Sequence, residues 1–167
     1  MEFESLFTSA IEVGIGIAGF SGIVAVLGHR SAGAWTRADR GRMSILLQTS
    51  FATVLLSFLP LLLGGTIADS GILWAICSGT YAAYNALSVV IRYPRIRELR
   101  KDPKNEVGGT YFYFVISGIA ISVLLQLANV FWLHTGWPYA LGVLWTMTFS
   151  FTQFVRLMRV LWRSRAN

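Results

Sequence analysis

Apolar runs long enough to cross a membrane recur along the chain and constrain its fold more than any other feature. A helix of about 20 residues rises about 30 Å, which is the thickness of the hydrocarbon core of a bilayer. Because lipid offers the backbone no hydrogen-bond partners, such a segment must be a helix or a strand of a closed barrel, and these runs lack the alternation of barrel strands. The sequence therefore predicts an all-α integral membrane protein, a single transmembrane domain over residues 1–167 that forms a compact bundle. Five spans are predicted, at about 8–28, 43–63, 72–92, 110–133 and 138–158.

The basic residues predict an orientation. All 14 lysines and arginines lie in three segments: the connection after the first span, the connection after the third, and the C-terminal tail. The N-terminus and the other connections carry Glu2, Glu4 and Asp69 and no lysine or arginine. Since cytoplasmic loops are enriched in Lys and Arg, the N-terminus is predicted outside and the C-terminus in the cytoplasm. The net charge of +6 then follows from topology, and no nucleic-acid partner is needed to explain it.

Small size and short connections favour a multi-pass protein of a bacterial-type inner (plasma) membrane, with the lipid bilayer as its first partner. The tail, RLMRVLWRSR, is predicted to continue the last helix, with arginines that reach anionic headgroups. The arginines predicted at the inner surface are Arg37, Arg40, Arg42, Arg156, Arg159 and Arg163.

Tryptophan and tyrosine residues lie near the predicted ends of the spans. Rings with an apolar body and a polar tip favour the headgroup region of a bilayer. The sequence therefore predicts that these rings contact headgroups. They are Trp35, Trp74, Trp132, Trp137, Tyr139 and Trp162.

At 100° per residue, each of the last three spans has one narrow stripe of polar or small residues and an otherwise apolar surface. Helices in lipid use such stripes to approach and hydrogen-bond one another, so the stripes are predicted to face the interior of the bundle. Helix packing and a path for a substrate both fit this pattern. The polar interior residues are Ser78, Tyr81 and Asn85 in the third span, Ser122, Gln126 and Asn129 in the fourth, and Thr146, Ser150 and Gln153 in the fifth.

The first span, with the sequence EVGIGIAGFSGIVAVLGHR from Glu12 to Arg30, differs from the others in its glycine content. Gly14, Ala18 and Gly22 form a small-xxx-small series, which predicts a ridge for close helix packing. A second face is predicted to carry a carboxylate at its outer end, glycines and apolar side chains in the middle, and a guanidinium at its inner end. That face consists of Glu12, Gly16, Gly19, Phe20, Ile23 and Arg30.

This second face suggests a homo-oligomeric channel or pore-like transport protein, in which copies of the first helix surround an axis. A ring of acid side chains attracts cations, and an apolar constriction gates a pore by dewetting. Glu12 would supply the acid ring, Phe20 or Ile23 the constriction, and Arg30 the field at the inner end. The alternative is a non-conducting protein that binds a lipid or a small apolar ligand, or serves as an accessory subunit of a membrane complex.

Motifs for other functions are not found in the sequence. His29 and His134 are predicted at opposite faces of the membrane, and Cys77 is the single cysteine, so neither a metal site nor a disulfide framework is expected. The G-x-G-x-x-G match at 14–19 lies inside a span and not after a strand, as a dinucleotide site requires. We therefore expect no enzymatic activity, cofactor or metal.

Overall fold

The structure, a computed structural model, describes the backbone of residues 3–31, 37–100 and 109–166, and the side chains of 3–26, 40–92 and 113–159. The prediction of an all-α fold is confirmed, since none of these residues lies in a strand. The elements are α1 (Glu4–Ser31), α2 (Arg37–Leu63), α3 (Ser70–Arg100), α4 (Gly109–Ala128), a π-helical turn (Asn129–Leu133) and α5 (Gly136–Ala166).

Three helices contain segments that are long and apolar enough to cross a membrane. The segments are Glu4–Val26, Arg40–Leu63 and Tyr113–Leu133. Within the described ranges, α3 and α5 do not reach the same apolar content. A physical reason is visible in their buried stripes, which hold Ser78 and Asn85 in α3 and Ser150 and Gln153 in α5.

Polar side chains are buried and large apolar side chains are exposed throughout the described residues. Asn129, Gln126 and Thr53 are each 0% exposed, whereas Leu55 and Phe131 are 69% and 65% exposed. An exposed apolar surface of this extent is unfavourable in water but is solvated by lipid tails. The distribution therefore agrees with helices that are compatible with membrane insertion.

The chain divides into two compact units. Unit 1 comprises Met1–Leu63 and Val143–Asn167, and unit 2 comprises Gly64–Gly142. Unit 1 thus holds α1, α2 and most of α5. Unit 2 holds α3, α4, the π-helical turn and the first residues of α5.

In unit 1, α1 and α2 each bury residues at alternating intervals of three and four. This spacing averages 3.5 residues, the repeat with which helices pack side by side in a left-handed sense. The two helices contact each other, and we call their two buried stripes the α1–α2 seam. Its residues are Phe7, Ala10, Gly14, Ile17 and Ser21 in α1, and Met43, Leu46, Ser50, Thr53, Ser57 and Pro60 in α2.

An apolar cluster joins the C-terminal half of α1, the beginning of α2 and the end of α5. Ile17, Met43, Leu46 and Leu157 are its buried members, each at most 9% exposed. Partly buried side chains pack around these four. They are Val24, Ala25, Leu47 and Phe154.

In unit 2, aromatic side chains form part of the interior. Trp74 and Tyr139 are buried, with ring centroids 6.2 Å apart, and Tyr139 also meets Tyr81 edge to face at 6.2 Å. The expectation that Trp74 and Tyr139 contact headgroups is therefore wrong. Both residues lie near helix ends, but their rings are buried and pack against each other. Trp132 and Trp137 are exposed.

Candidate functional site

Most of the predicted pore-lining residues of α1 with described side chains lie on an exposed face of the helix. Glu12 and Gly19 are exposed, Phe20 and Ile23 are 63% and 56% exposed, and Gly16 is half-buried. We call Glu12, Gly16, Gly19, Phe20 and Ile23 the open face of α1. It points away from the α1–α2 seam, because seam residues and open-face residues occupy different sectors of the helix.

The glycines of α1 differ in how much space surrounds them. An added Cβ at Gly16, Gly19 or Gly22 would meet no atom within 4 Å. At Gly14 it would stand 2.8 Å from Val54 Cγ2 and 3.2 Å from the carbonyl oxygen of Ser50. Gly14 therefore permits the close approach of α1 and α2, whereas no described residue of another helix lies close to the other three.

The three residues of the predicted ridge, Gly14, Ala18 and Gly22, differ in their exposure. Gly14 is buried in the seam, Ala18 is half-buried and Gly22 is exposed. Each step of four residues rotates the position by 40° around the helix. Ala18 and Gly22 therefore lie progressively farther from the seam, whose residues recur every 3.5 residues on average. Together with Gly19, Ile23 and Val26, Gly22 lines a shallow groove on the exposed side of α1.

Four of the predicted inner-surface arginines have described side chains. Arg40 and Arg159 are exposed, and Arg42 and Arg156 are half-buried. Arg42 immediately precedes Met43 and Arg156 immediately precedes Leu157, and both of these apolar residues belong to the same cluster. The side chains of Arg30, Arg37 and Arg163 lie outside the described residues.

Tyr81 is at the centre of a polar network in unit 2. Its hydroxyl donates to the carbonyl oxygen of Gly142 at 2.8 Å and accepts from the Ser122 hydroxyl at 3.0 Å. Three helices, α3, α4 and α5, therefore meet at one buried phenol. Asn85, one turn along α3, donates its amide to the carbonyl oxygen of Tyr81 at 3.1 Å, which keeps that bond within its own helix.

Gln126 forms a second link between α4 and α5. Its Nε2 donates to the carbonyl oxygen of Pro138 at 2.7 Å, while its Oε1 is a buried acceptor with no hydrogen-bond partner among the described residues. A Cβ added at Gly142 would stand 2.7 Å from Gln126 Nε2 and 3.0 Å from Tyr81 Cζ. Gln126 and Tyr81 therefore occupy the space that a side chain at position 142 would need.

Asn129 fixes the turn between α4 and α5. Its Nδ2 donates to Ser78 Oγ at 2.7 Å and to the carbonyl oxygen of Thr135 at 2.9 Å, and its Oδ1 accepts from the Thr135 N–H at 3.0 Å. His134 adopts φ 50° and ψ 40°, and its N–H closes the π-helical turn on the carbonyl oxygen of Asn129 at 3.1 Å. One buried amide thus replaces the backbone partners that a two-residue connection cannot supply.

The polar stripe of α5 lies in unit 1. Thr146, Ser150 and Gln153 are each buried, and the Ser150 hydroxyl donates to the carbonyl oxygen of Thr146 at 3.1 Å. All nine polar residues assigned to the interior from the sequence are buried. The structure places three of them in unit 1 and six in unit 2, so they do not line one continuous path within either unit.

The sequence does not indicate the contact between Asn129 and Thr135, in which the backbone N–H and carbonyl of Thr135 both bind the Asn129 amide. Ser50 and Ser57 lie on a face of small residues that the sequence of the second span does show, and their buried hydroxyl oxygens have no hydrogen-bond partner among the described residues. The spacing of Asn129 six residues before Thr135 carries no recognisable signal, because a π-helical turn has no established sequence signature.

The described residues contain no group of three His, Cys, Asp or Glu side chains that could hold a metal ion, and the Cys77 thiol is free and buried. Comparison of the chain with protein-family models, with curated proteins and with solved structures found no match. The candidate site therefore stands on its own geometry.

Proposed function

We propose that the chain is a homo-oligomeric membrane channel or pore-like transport protein that conducts cations, with α1 nearest the axis. In this proposal all five helices span a bacterial-type inner membrane, with the N-terminus outside and the C-terminus in the cytoplasm. Support for the orientation comes from the three basic segments, which fall on one side of a five-span chain.

One observation carries the proposal: among the described residues of unit 1, α1 packs on α2 along one stripe, and the open face on its opposite side is exposed. The open face is rich in glycine, which lets another helix approach closely. It also holds Glu12, an ionisable residue within the apolar run of α1, and such residues in membranes tend to line polar pathways. A face with these properties suits the contact between copies of α1 better than it suits lipid alone.

In an assembly of this kind, Glu12 attracts cations to the outer mouth of the pore. Gly16 and Gly19 allow neighbouring copies of α1 to come close, and Phe20 or Ile23 forms the apolar constriction. Arg30, Arg37 and Arg40 set a positive potential at the inner mouth. This order of charges predicts cation entry from outside and gating by wetting of the constriction.

Assembly is tested by adding bulk at Gly19, where the single chain has room. Gly19→Leu should leave the fold intact, because an added Cβ there meets no atom within 4 Å. It should reduce the oligomer seen by light scattering in detergent and abolish ion flux in liposomes. The matched control is Ala120→Leu, which adds the same bulk at an exposed position of α4 and should change neither measurement.

Conduction is tested by neutralising the acid. Glu12→Gln should lower cation flux into liposomes and leave the oligomer unchanged, whereas Glu4→Gln, a second exposed acid on α1, should have a smaller effect. A protein that is monomeric and shows no flux in any ionic condition would overturn the proposal.

The orientation has its own test, made in a Cys77→Ala background. A cysteine at position 2 should react with a membrane-impermeant maleimide added outside cells, and one at position 101 should not. The reverse pattern would invert the topology and exchange the two mouths of the pore.

A second candidate function is a non-conducting protein that binds a small, largely apolar ligand or serves as an accessory subunit. The observation that favours it is Gln126 Oε1, a buried acceptor without a partner among the described residues, which a ligand hydroxyl or amide could satisfy. Ligand retained through purification, detected by mass spectrometry and lost in Gln126→Met, would favour this function over conduction.

A further inference from the structure

The arginines at the end of unit 1 suggest a function of their own, independent of conduction. We propose that Arg40, Arg42, Arg156 and Arg159, which we call the arginine cluster, bind the phosphate of an anionic phospholipid. The site is built from the beginning of α2 and the end of α5. The argument rests on the apolar cluster that joins these helices, on the burial of the arginines and on their charge.

The apolar cluster brings two distant segments of the chain to the same place. Met43 and Leu46 at the beginning of α2 belong to one cluster with Leu157 near the end of α5. Arg42 and Arg156 are the residues immediately before Met43 and Leu157. The backbones of both arginines therefore lie beside the apolar cluster. Two separate helices therefore present their basic residues at one end of unit 1.

Burial divides the arginine cluster into two pairs. Arg42 and Arg156 are half-buried, as expected when the aliphatic stem lies along an apolar surface and the guanidinium extends beyond it. Arg40 and Arg159 are exposed. The guanidinium is planar and binds phosphate oxygens through two parallel N–H donors, a geometry that lysine does not offer.

The charge of these segments favours an anion. Residues 37–42 hold three arginines and one acid, Asp39, and residues 156–166 hold four arginines and no acid. Basic residues next to a membrane attract anionic lipid. Because both helices carry arginines at this end of unit 1, the charge there favours an anion.

The border between arginines and apolar residues selects a lipid over a soluble phosphate. Leu47 and Phe154 pack around the apolar cluster and are only partly buried, so apolar surface remains beside the arginines. A phospholipid places its phosphate at such a border and its acyl chains against the apolar side. Inorganic phosphate would use only the charged half of the site.

Native mass spectrometry of the delipidated full-length protein tests the site, with phosphatidylglycerol, phosphatidylcholine and inorganic phosphate as probes. Phosphatidylglycerol should bind tightly, and the double variant Arg40→Gln/Arg159→Gln should weaken this binding roughly 30-fold. The separate double variant Arg42→Gln/Arg156→Gln should weaken phosphatidylglycerol binding more than Arg40→Gln/Arg159→Gln does. Circular dichroism of each variant reports whether the helices remain, and the exposed pair decides the question if the half-buried pair fails to fold.

The matched control is Arg95→Gln/Arg97→Gln, which removes the same charge from the basic segment of unit 2. Its binding of phosphatidylglycerol should be unchanged. Equal losses in the control and in the exposed pair would overturn the proposal, since they would show attraction by net charge alone. Equal binding of phosphatidylcholine, or displacement of the lipid by inorganic phosphate, would overturn it as well. None of these outcomes depends on ion flux, so this proposal and the channel can fail separately.

Discussion

Two regions of the molecule hold helices together in different ways. In the α1–α2 seam of unit 1, Gly14 brings the backbones close, and the buried hydroxyls either bond their own helix or lack a partner among the described residues. Ser21 donates to the carbonyl oxygen of Ile17 at 2.6 Å, and Thr53 to that of Thr49 at 3.0 Å. In unit 2, by contrast, polar side chains bond from one element to another.

The difference separates two sources of stability that operate in lipid. Lipid tails are as apolar as leucine, so burial of apolar surface does little to drive helices together. The seam depends on van der Waals contact between small residues, which is sensitive to added volume. The network of unit 2 depends on hydrogen bonds, which are sensitive to the loss of single polar atoms. Added side-chain volume should therefore lower the free energy of unfolding most in the seam of unit 1. Removal of a polar atom should lower it most in unit 2.

The largest effect is expected for Gly14→Leu, because even a single added carbon would stand 2.8 Å from Val54 Cγ2. Overpacking of a tight contact costs about 3 kcal/mol or more, which should separate α1 from α2. Unfolding in a titration with sodium dodecyl sulfate measures the loss. Gly22→Leu makes the same change where no atom lies within 4 Å and should leave the free energy of unfolding unchanged or slightly raised. Equal losses of stability in both variants would show that Gly14 is not a special point of close contact between α1 and α2.

Asn129→Ala should have the next largest effect, since it removes three hydrogen bonds that hold α3, the π-helical turn and Thr135. At about 0.6 kcal/mol for each polar contact in a membrane protein, the free energy of unfolding should fall by about 2 kcal/mol. Asn85→Ala is the matched control, because the Asn85 amide donates to the carbonyl oxygen of Tyr81 in its own helix. If the two variants lose the same stability, bonding between elements is not what holds unit 2.

Tyr81→Phe is a smaller change, which removes one hydroxyl and keeps the ring. The loss of the bonds to Gly142 and Ser122 should cost about 1 kcal/mol in the same titration. Tyr84→Phe, at a half-buried position of α3, should cost less. No difference between the two would indicate that the buried phenol contributes packing only.

Ser57→Ala should have the smallest effect, and of opposite sign. Its hydroxyl oxygen is buried without a partner among the described residues, so removal should leave stability unchanged or raise it by up to about 1 kcal/mol. Ser122→Ala, whose hydroxyl donates to Tyr81, makes the same chemical change and should lower stability. A loss at Ser57 equal to that at Ser122 would contradict the contrast between the two units.

Much of the fold could be predicted from the sequence because helical periodicity is a local property. The apolar runs predict helices, and the structure has a helix at each predicted span. A wheel at 100° per residue places Ser78, Tyr81 and Asn85 on one stripe, and all three are buried. The polar stripe identifies the buried side of a helix in lipid, since a lone polar group is costly there.

The partners of each stripe could not be predicted, because they depend on contacts between distant residues. The glycines of α1 show this limit most clearly: of those at positions 14, 16, 19 and 22, only Gly14 would bring an added Cβ within 4 Å of α2. The sequence alone does not state which sector of α1 the seam uses. The two-residue connection at His134 and Thr135 could not be predicted either. Its geometry depends on an amide that reaches across six residues.

The bare Cα of Gly142 has a consequence for how this protein can vary. Because the amide of Gln126 and the ring of Tyr81 lie 2.7 Å and 3.0 Å from where a Cβ at position 142 would stand, a larger residue there would force one of them to shift or to be replaced by a smaller side chain. Positions 81, 126 and 142 should therefore change together among homologous sequences. A homologue with alanine at 142 is expected to carry a smaller residue at 81 or 126. A substitution in one helix would then occur together with a compensating substitution in another.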